Sequence, residues 1–217
     1  MNPFAPLLAL TLLVASCAPR LTTNQKVQLQ AELTSMKKID QVAAYIPQGK
    51  YQLYTPKQWE SFKDSVFSSN QKRVEFLFKR YGFLGFNKVG KEGSNDFWLL
   101  VQHCDKYPDF QRKVLTAMDK EVKKANASPA DYAYLYDRVQ TNAGSKQLFG
   151  TQLTYEVETT GRAVPKIGLV DSAQVDERRK KYGLGTLKDY LNMMTGMHYE
   201  MNKARYEQKG LLKPNLY

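Results

Sequence analysis

The chain has 217 residues, two cysteines and a formal net charge of +11, from 32 basic and 21 acidic side chains. That length suits one domain with a substantial core and leaves little room for two. Two cysteines, one of them close behind an uncharged leader, exclude a disulfide-stapled framework, so stability must come from packing.

The leader MNPFAPLLALTLLVAS (1–16) carries no charged side chain. Its apolar run from Leu7 to Val14 is too short to cross a bilayer, which takes about twenty helical residues, and fits the hydrophobic stretch of a secretory signal. Val14-Ala15-Ser16-Cys17 resembles the bacterial lipobox. That resemblance implies a signal peptide over 1–16, acylation of Cys17 and a lipidated tether over 17–25. Several acyl chains hold durably, at about 0.8 kcal/mol per buried CH₂. The leader departs from the pattern in lacking Lys or Arg. Residue 18 is Ala rather than Asp, which by analogy with known sorting favours an outer-membrane protein facing the periplasm. In that setting the basic surface is expected to keep the chain soluble or to meet anionic lipid head groups or glycans, rather than nucleic acid.

One helical domain is expected over 26–200, followed by a charged tail over 201–217 that frays. Thr22 and Gln25 have capping-box spacing before a first helix with Val27, Leu29, Leu33 and Met36. Pro47, Gly49 and Pro56 interrupt, and a stripe from Trp59 to Tyr81 predicts one helix, or two if Ser68–Gln71 breaks it. The glycine-rich 81–96 reads as loop, with Ser94 as N-cap of a central helix holding Phe97 to Val101. Asp109 is a candidate cap for 110–125, and Ser128-Pro129 opens the next helix, which Gly144 ends. Residues 153–167 alternate about Thr160-Gly161 and predict a hairpin or extended excursion. Ser172 and Thr186 open two last helices. The fold class is therefore mainly α, an orthogonal helical bundle with one small β element.

The apolar run WLLV (98–101) ends in Gln102, His103 and Asp105. The architectural reading has these polar groups satisfy the carbonyls at the end of the helix. The functional reading needs partners, for which the chain offers Asp137 and Arg138, then Gln147 and Gln152, then Asp176, Arg178 and Arg179. Cys104, beside His103, points about 100° away from it on a helix and makes no nucleophile–base pair. Two histidines and no cysteine pair give no metal site, and no cofactor motif is present.

In order, WxxxQHxD, DRV, Qx[YF]GTQ and VDxRRxxxGL resemble an uncharacterised bacterial domain-of-unknown-function family over about residues 70–192. The matching positions are Gln102, His103, Asp105, Asp137, Arg138, Gln147, Gly150, Thr151, Gln152, Asp176 and Arg178. The resemblance implies no activity. These residues are expected to converge as one polar cluster in a lipid-anchored binding or structural module. The alternative is a hydrolase or lyase of an envelope glycan or peptide, with His103, Asp137 and Arg138 as candidate catalytic groups. There His103 would be general base and an arginine would clamp an anion.

Overall fold

Thr22 caps the first helix as its spacing predicts. Its hydroxyl accepts from the Gln25 amide at 3.3 Å, and the Gln25 side chain accepts from the Thr22 amide at 2.9 Å. The computed structural model describes residues 20–217, so the leader and Cys17 lie outside the described residues. After α1 (Thr23–Ala44) and a 3-10 turn, a second capping box at Thr55 and Gln58 starts α2 (Pro56–Tyr81).

This helix runs unbroken through Ser68–Gln71, because Asn70 and Gln71 are buried members of its stripe. Polar side chains in that register do not interrupt a helix when a neighbour satisfies them. Here Asn70 donates to Asp40 of α1 at 3.2 Å.

The glycine-rich stretch is the clearest departure from expectation. α3 (Phe86–Gln102) already begins at Phe86, and Ser94 is buried inside it rather than capping it. Gly90, at φ 69°, kinks the helix in a conformation that L side chains rarely adopt. A Cβ on Gly93 would come within 3.0 Å of Gln30 on α1, so glycine there lets two helices approach closely. These glycines serve packing rather than a loop.

α4 (Pro108–Lys123) carries Asp109 in its first turn, where it suits the dipole but forms no cap; it pairs with Arg112 instead. α5 (Pro129–Asn142) opens as predicted, with the Ser128 hydroxyl accepting from the Asp131 amide at 3.1 Å. These five helices enclose one core, centred on Leu33, Val74, Leu84, Phe97, Leu100, Val114 and Leu135.

A small antiparallel hairpin follows, β1 (Leu153–Tyr155) against β2 (Ala163–Pro165), with Thr154 opposite Val164. A 3-10 turn at Ser172–Gln174 leads into α6 (Val175–Lys181), and Thr186 caps α7 (Leu187–Met201). The fold is mainly α with one small β element, as expected.

The tail does not fray. It forms α8 (Lys203–Gln208), whose Tyr206 is buried and stacks on Tyr199 at 5.6 Å. Arg162 holds Asn215 and the Leu216 carbonyl, and the Tyr217 hydroxyl donates to the Ala163 carbonyl at 2.9 Å. Charge dominates the composition of this segment, but two buried aromatics seven residues apart decide its fate. Among the described residues no helix is long and apolar enough to cross a membrane.

Candidate functional site

The expected single cluster is two separate structures. Asp137 and Arg138 are consecutive on α5 and diverge by about 100°, so each serves a different one.

Asp137 is wholly buried and holds the loop after α5. Its carboxylate accepts from the amides of Leu148, Phe149 and Thr151 at 2.9 to 3.2 Å, and from the Thr151 hydroxyl at 3.0 Å. Gly150, at φ 68°, turns the backbone so that these amides face inward. Gln147, also buried, donates to the carbonyls of Gln152 and Lys166 and accepts from the Gln152 amide. Among the described residues the Gln152 side chain reaches only the Thr151 hydroxyl, to which it donates at 3.3 Å. Arg178 spends its donors on the carbonyls of Leu148, Val170 and Asp171. Asp176 accepts from the Leu187 amide at 2.7 Å and so helps start α7. Arg179, the second arginine of the VDxRR motif, is buried, donates to the carbonyls of Phe149 and Gly185, and lies 5.0 Å from the Tyr190 ring. Burial pushes its pKa down. Apart from the Gln152 side chain, every group here is engaged by backbone, and this half is architecture.

His103 belongs to the other structure. It ends α3, but the carbonyls there are satisfied by Gln111 of α4, whose amide donates to Val101 at 3.1 Å and Gln102 at 3.2 Å. The ring turns instead toward Asp40, with Nδ1 2.6 Å from Oδ2. Asp40 is 0% exposed and also accepts from Asn70 and Gln41; the His103 side chain is 20% exposed. Asp40 was missed, although a signal existed. Leu29, Leu33, Met36, Asp40 and Ala43 continue one helical stripe, so an acid stands in a core register.

Around the exposed edge of the ring lies an open cavity of about 480 Å³, lined by Phe67, His103, Asp105, Lys106, Tyr107 and Arg138 among others. Arg138 grips Asp105 with two bonds, at 2.8 and 2.6 Å, and Asn142 and Gln111 add to it. Burial raises the Asp105 carboxyl, but Arg138 and the two amides outweigh it and hold the group below the usual carboxylate range. A depressed folded pKa stabilises the fold above the ordinary carboxyl pKa, and that stability is lost as pH falls through the folded value. Asp105→Asn is therefore expected to shrink the difference in urea midpoint between neutral pH and about pH 3.

Both arginines expected as anion clamps have protein partners in the structure. Arg138 is committed to Asp105 and Arg178 to three carbonyls. Lys63 and Lys106, also on the cavity, pair with Glu60 and Asp64 at 2.8 Å each. Gln102 joins neither structure; it is buried, and its Oε1 has no partner among the described residues. Cys104 lies in the core, where burial pushes its thiol up to about 12. It is expected to resist iodoacetamide in the native protein at neutral pH and to react on unfolding, as read by mass spectrometry.

The order of the four motifs falls along α3, α5, the Asp137 loop and α6, and the family's sequence profile matches residues 27–202. The chain belongs to DUF6624, a family of unknown function. The DUF6624 match is longer than the 70–192 of the four motifs, and it takes in most of α1 with Asp40. No curated protein and no solved structure matches the chain. Among the described residues no group of three His, Cys, Asp or Glu is placed to hold a metal ion.

Proposed function

We propose that this DUF6624 protein is a lipid-anchored envelope protein that binds a small polar ligand in the His103 cavity. The observation that carries the reading is an open cavity of about 480 Å³ whose histidine is oriented from behind by a wholly buried carboxylate. A purely architectural polar network is sealed and fully paired, as the Asp137 loop is, whereas concave sites with a few convergent polar groups are the usual form of ligand pockets. The cavity's cations are matched by Glu60, Asp64 and Asp105. That balance favours a neutral or zwitterionic ligand, such as an uncharged glycan or a peptide fragment, over a phosphate-bearing one.

A second reading, hydrolase or lyase, is favoured by the position of Asp40. When Nδ1–H is given to a carboxylate, the neutral imidazole keeps Nε2 as its basic nitrogen, the arrangement that general-base catalysis uses. Soluble peptidoglycan fragments test both readings. Saturable shifts of the His103 ring resonances are expected, with new fragment ends appearing if the ligand is also cleaved. Fragments that bind without moving those resonances, or do not bind at all, would remove the cavity from the reading.

Acyl chains on Cys17 place the domain at the outer membrane, facing the periplasm, with α1 beginning six residues later. The support is the uncharged leader and its lipobox pattern. The charge of +11 supports added contact with anionic lipid head groups or glycans, with retention that falls as salt rises. Cys17→Ser is expected to abolish palmitate labelling and release the protein from membranes.

A further inference from the structure

Four of the chain's seven methionines, Met193, Met194, Met197 and Met201, fall within nine residues of α7. They do not build the core. α7 buries Leu191, Thr195 and Tyr199, while Met193, Met197 and Met201 are 54%, 53% and 61% exposed. Met118, by contrast, fills the core at 1% exposed, which is the ordinary use of this side chain. Gly196 stands in the middle of the same helix, at a cost of about 0.5–1 kcal/mol relative to alanine. Nothing lies within 4 Å of where its Cβ would be, so packing does not demand a glycine there. Its effect is to leave the surface beside Met193 and Met197 uncovered.

Helical geometry selects three of the four. Met193, Met194 and Met197 are related as i, i+1 and i+4, and the (i, i+3) and (i, i+4) pairs stand about 5–6 Å apart at Cβ. Met193 and the half-buried Met194 diverge by about 100° around the axis. Met197 lies between them, an i+4 neighbour of one and an i+3 neighbour of the other, so three long, flexible thioether side chains can turn onto the surface they share. Met201 is one turn beyond Met197 and two beyond Met193, too far along the axis to share that surface. His198 is occupied elsewhere: its ring stacks on Tyr155 at 3.7 Å, and Nδ1 meets the Tyr206 hydroxyl at 3.0 Å.

Thioether sulfur is a soft, neutral ligand, and soft sulfur ligands select Cu(I) over the harder divalent cations. We propose that Met193, Met194 and Met197 form a trigonal thioether site for a soft monovalent cation, Cu(I) above all. Because no ligand has to lose a proton, binding there is expected to be flat with pH, unlike that of thiolate or imidazole sites. The site is independent of the His103 cavity and stands whether or not that reading does.

The test is a titration of the folded chain carrying Cys17→Ser with Cu(I) in anaerobic, acetonitrile-buffered solution, following the methionine methyl resonances. One equivalent is expected to shift the methyls of Met193, Met194 and Met197, while those of Met36 and Met118 stay in place. Leucine conserves volume and removes only the sulfur. Met193→Leu/Met194→Leu/Met197→Leu should keep the melting temperature and weaken Cu(I) binding by at least about 100-fold, since loss of an outer-shell partner alone costs 10–100-fold. Met201→Leu and His198→Phe should leave affinity unchanged. Parental protein that takes up no Cu(I), as expected of a merely apolar docking face, overturns the proposal. So does a triple variant that binds as tightly as its parent.

Discussion

Asp137→Asn is expected to lower the unfolding free energy by about 3–5 kcal/mol, read from urea denaturation. The size follows from what the carboxylate does. Both oxygens accept, and every donor around them is a backbone amide or the Thr151 hydroxyl. An asparagine in the same place presents one oxygen and turns its own NH₂ toward backbone amides, which can only donate. Buried donors left without an acceptor cost about 1–3 kcal/mol each. The damage should spread, because the loop that Asp137 gathers also supplies the carbonyls of Leu148 and Phe149 to Arg178 and Arg179. A loss below about 0.5 kcal/mol, the range of an ordinary surface change, would mean that something else orders this loop.

The pH dependence of Asp137 runs opposite to that of Asp105. Burial pushes the Asp137 carboxyl above the usual range, against the pull of the three amides. A raised folded pKa means that this group's contribution is greatest at low pH and declines as pH rises from the ordinary carboxyl value to the folded one. Acid destabilisation should therefore follow Asp105 and its partner Arg138, and Asp137 should not add to it. Removing each carboxyl in turn and comparing acid titrations separates the two.

How much of this could be read from residues alone differs between the fold and the site. Helix starts were legible wherever the chemistry is local. Thr22 with Gln25, Ser128 with Pro129 and Thr186 each act within four residues, and each caps as expected. Glycines are harder to read, because the same residue that frees the backbone of a loop also lets two helices pack closely. Gly93 is instead a gap into which Gln30 of another helix fits, and nothing near it in sequence reveals that. The tail is hard to read for a similar reason, since Tyr206 finds Tyr199 and His198 only once α7 and α8 fold back. For the site, residue types were legible and their partners were not. His103 was identified, but Asp40 lies 63 positions earlier, and its only trace was an acid in an apolar register. Asp137 and Arg138 are adjacent in sequence, and helical geometry alone assigns them to different faces. Grouping them ignored that rotation.

Replacing His103 by alanine is expected to cost about 3 kcal/mol, because it leaves the wholly buried Asp40 short of its closest donor. Asn70 and Gln41 remain, at 3.2 and 3.3 Å, and are weaker partners than the ring nitrogen at 2.6 Å. Adding Asp40→Asn to His103→Ala should recover about 1 kcal/mol or more, since a neutral amide tolerates the missing donor better than a charge does. If the two changes are instead additive, ring and carboxylate are not coupled, and the orienting role of Asp40 falls with the general-base reading. His103→Gln then separates architecture from function. A glutamine amide can donate to Asp40 and is expected to restore most of the stability, yet it cannot take up a proton at the cavity edge. Stability regained together with loss of ligand turnover would assign the imidazole its chemical role. Stability and ligand binding both regained would leave His103 as a hydrogen-bond donor that happens to border a cavity.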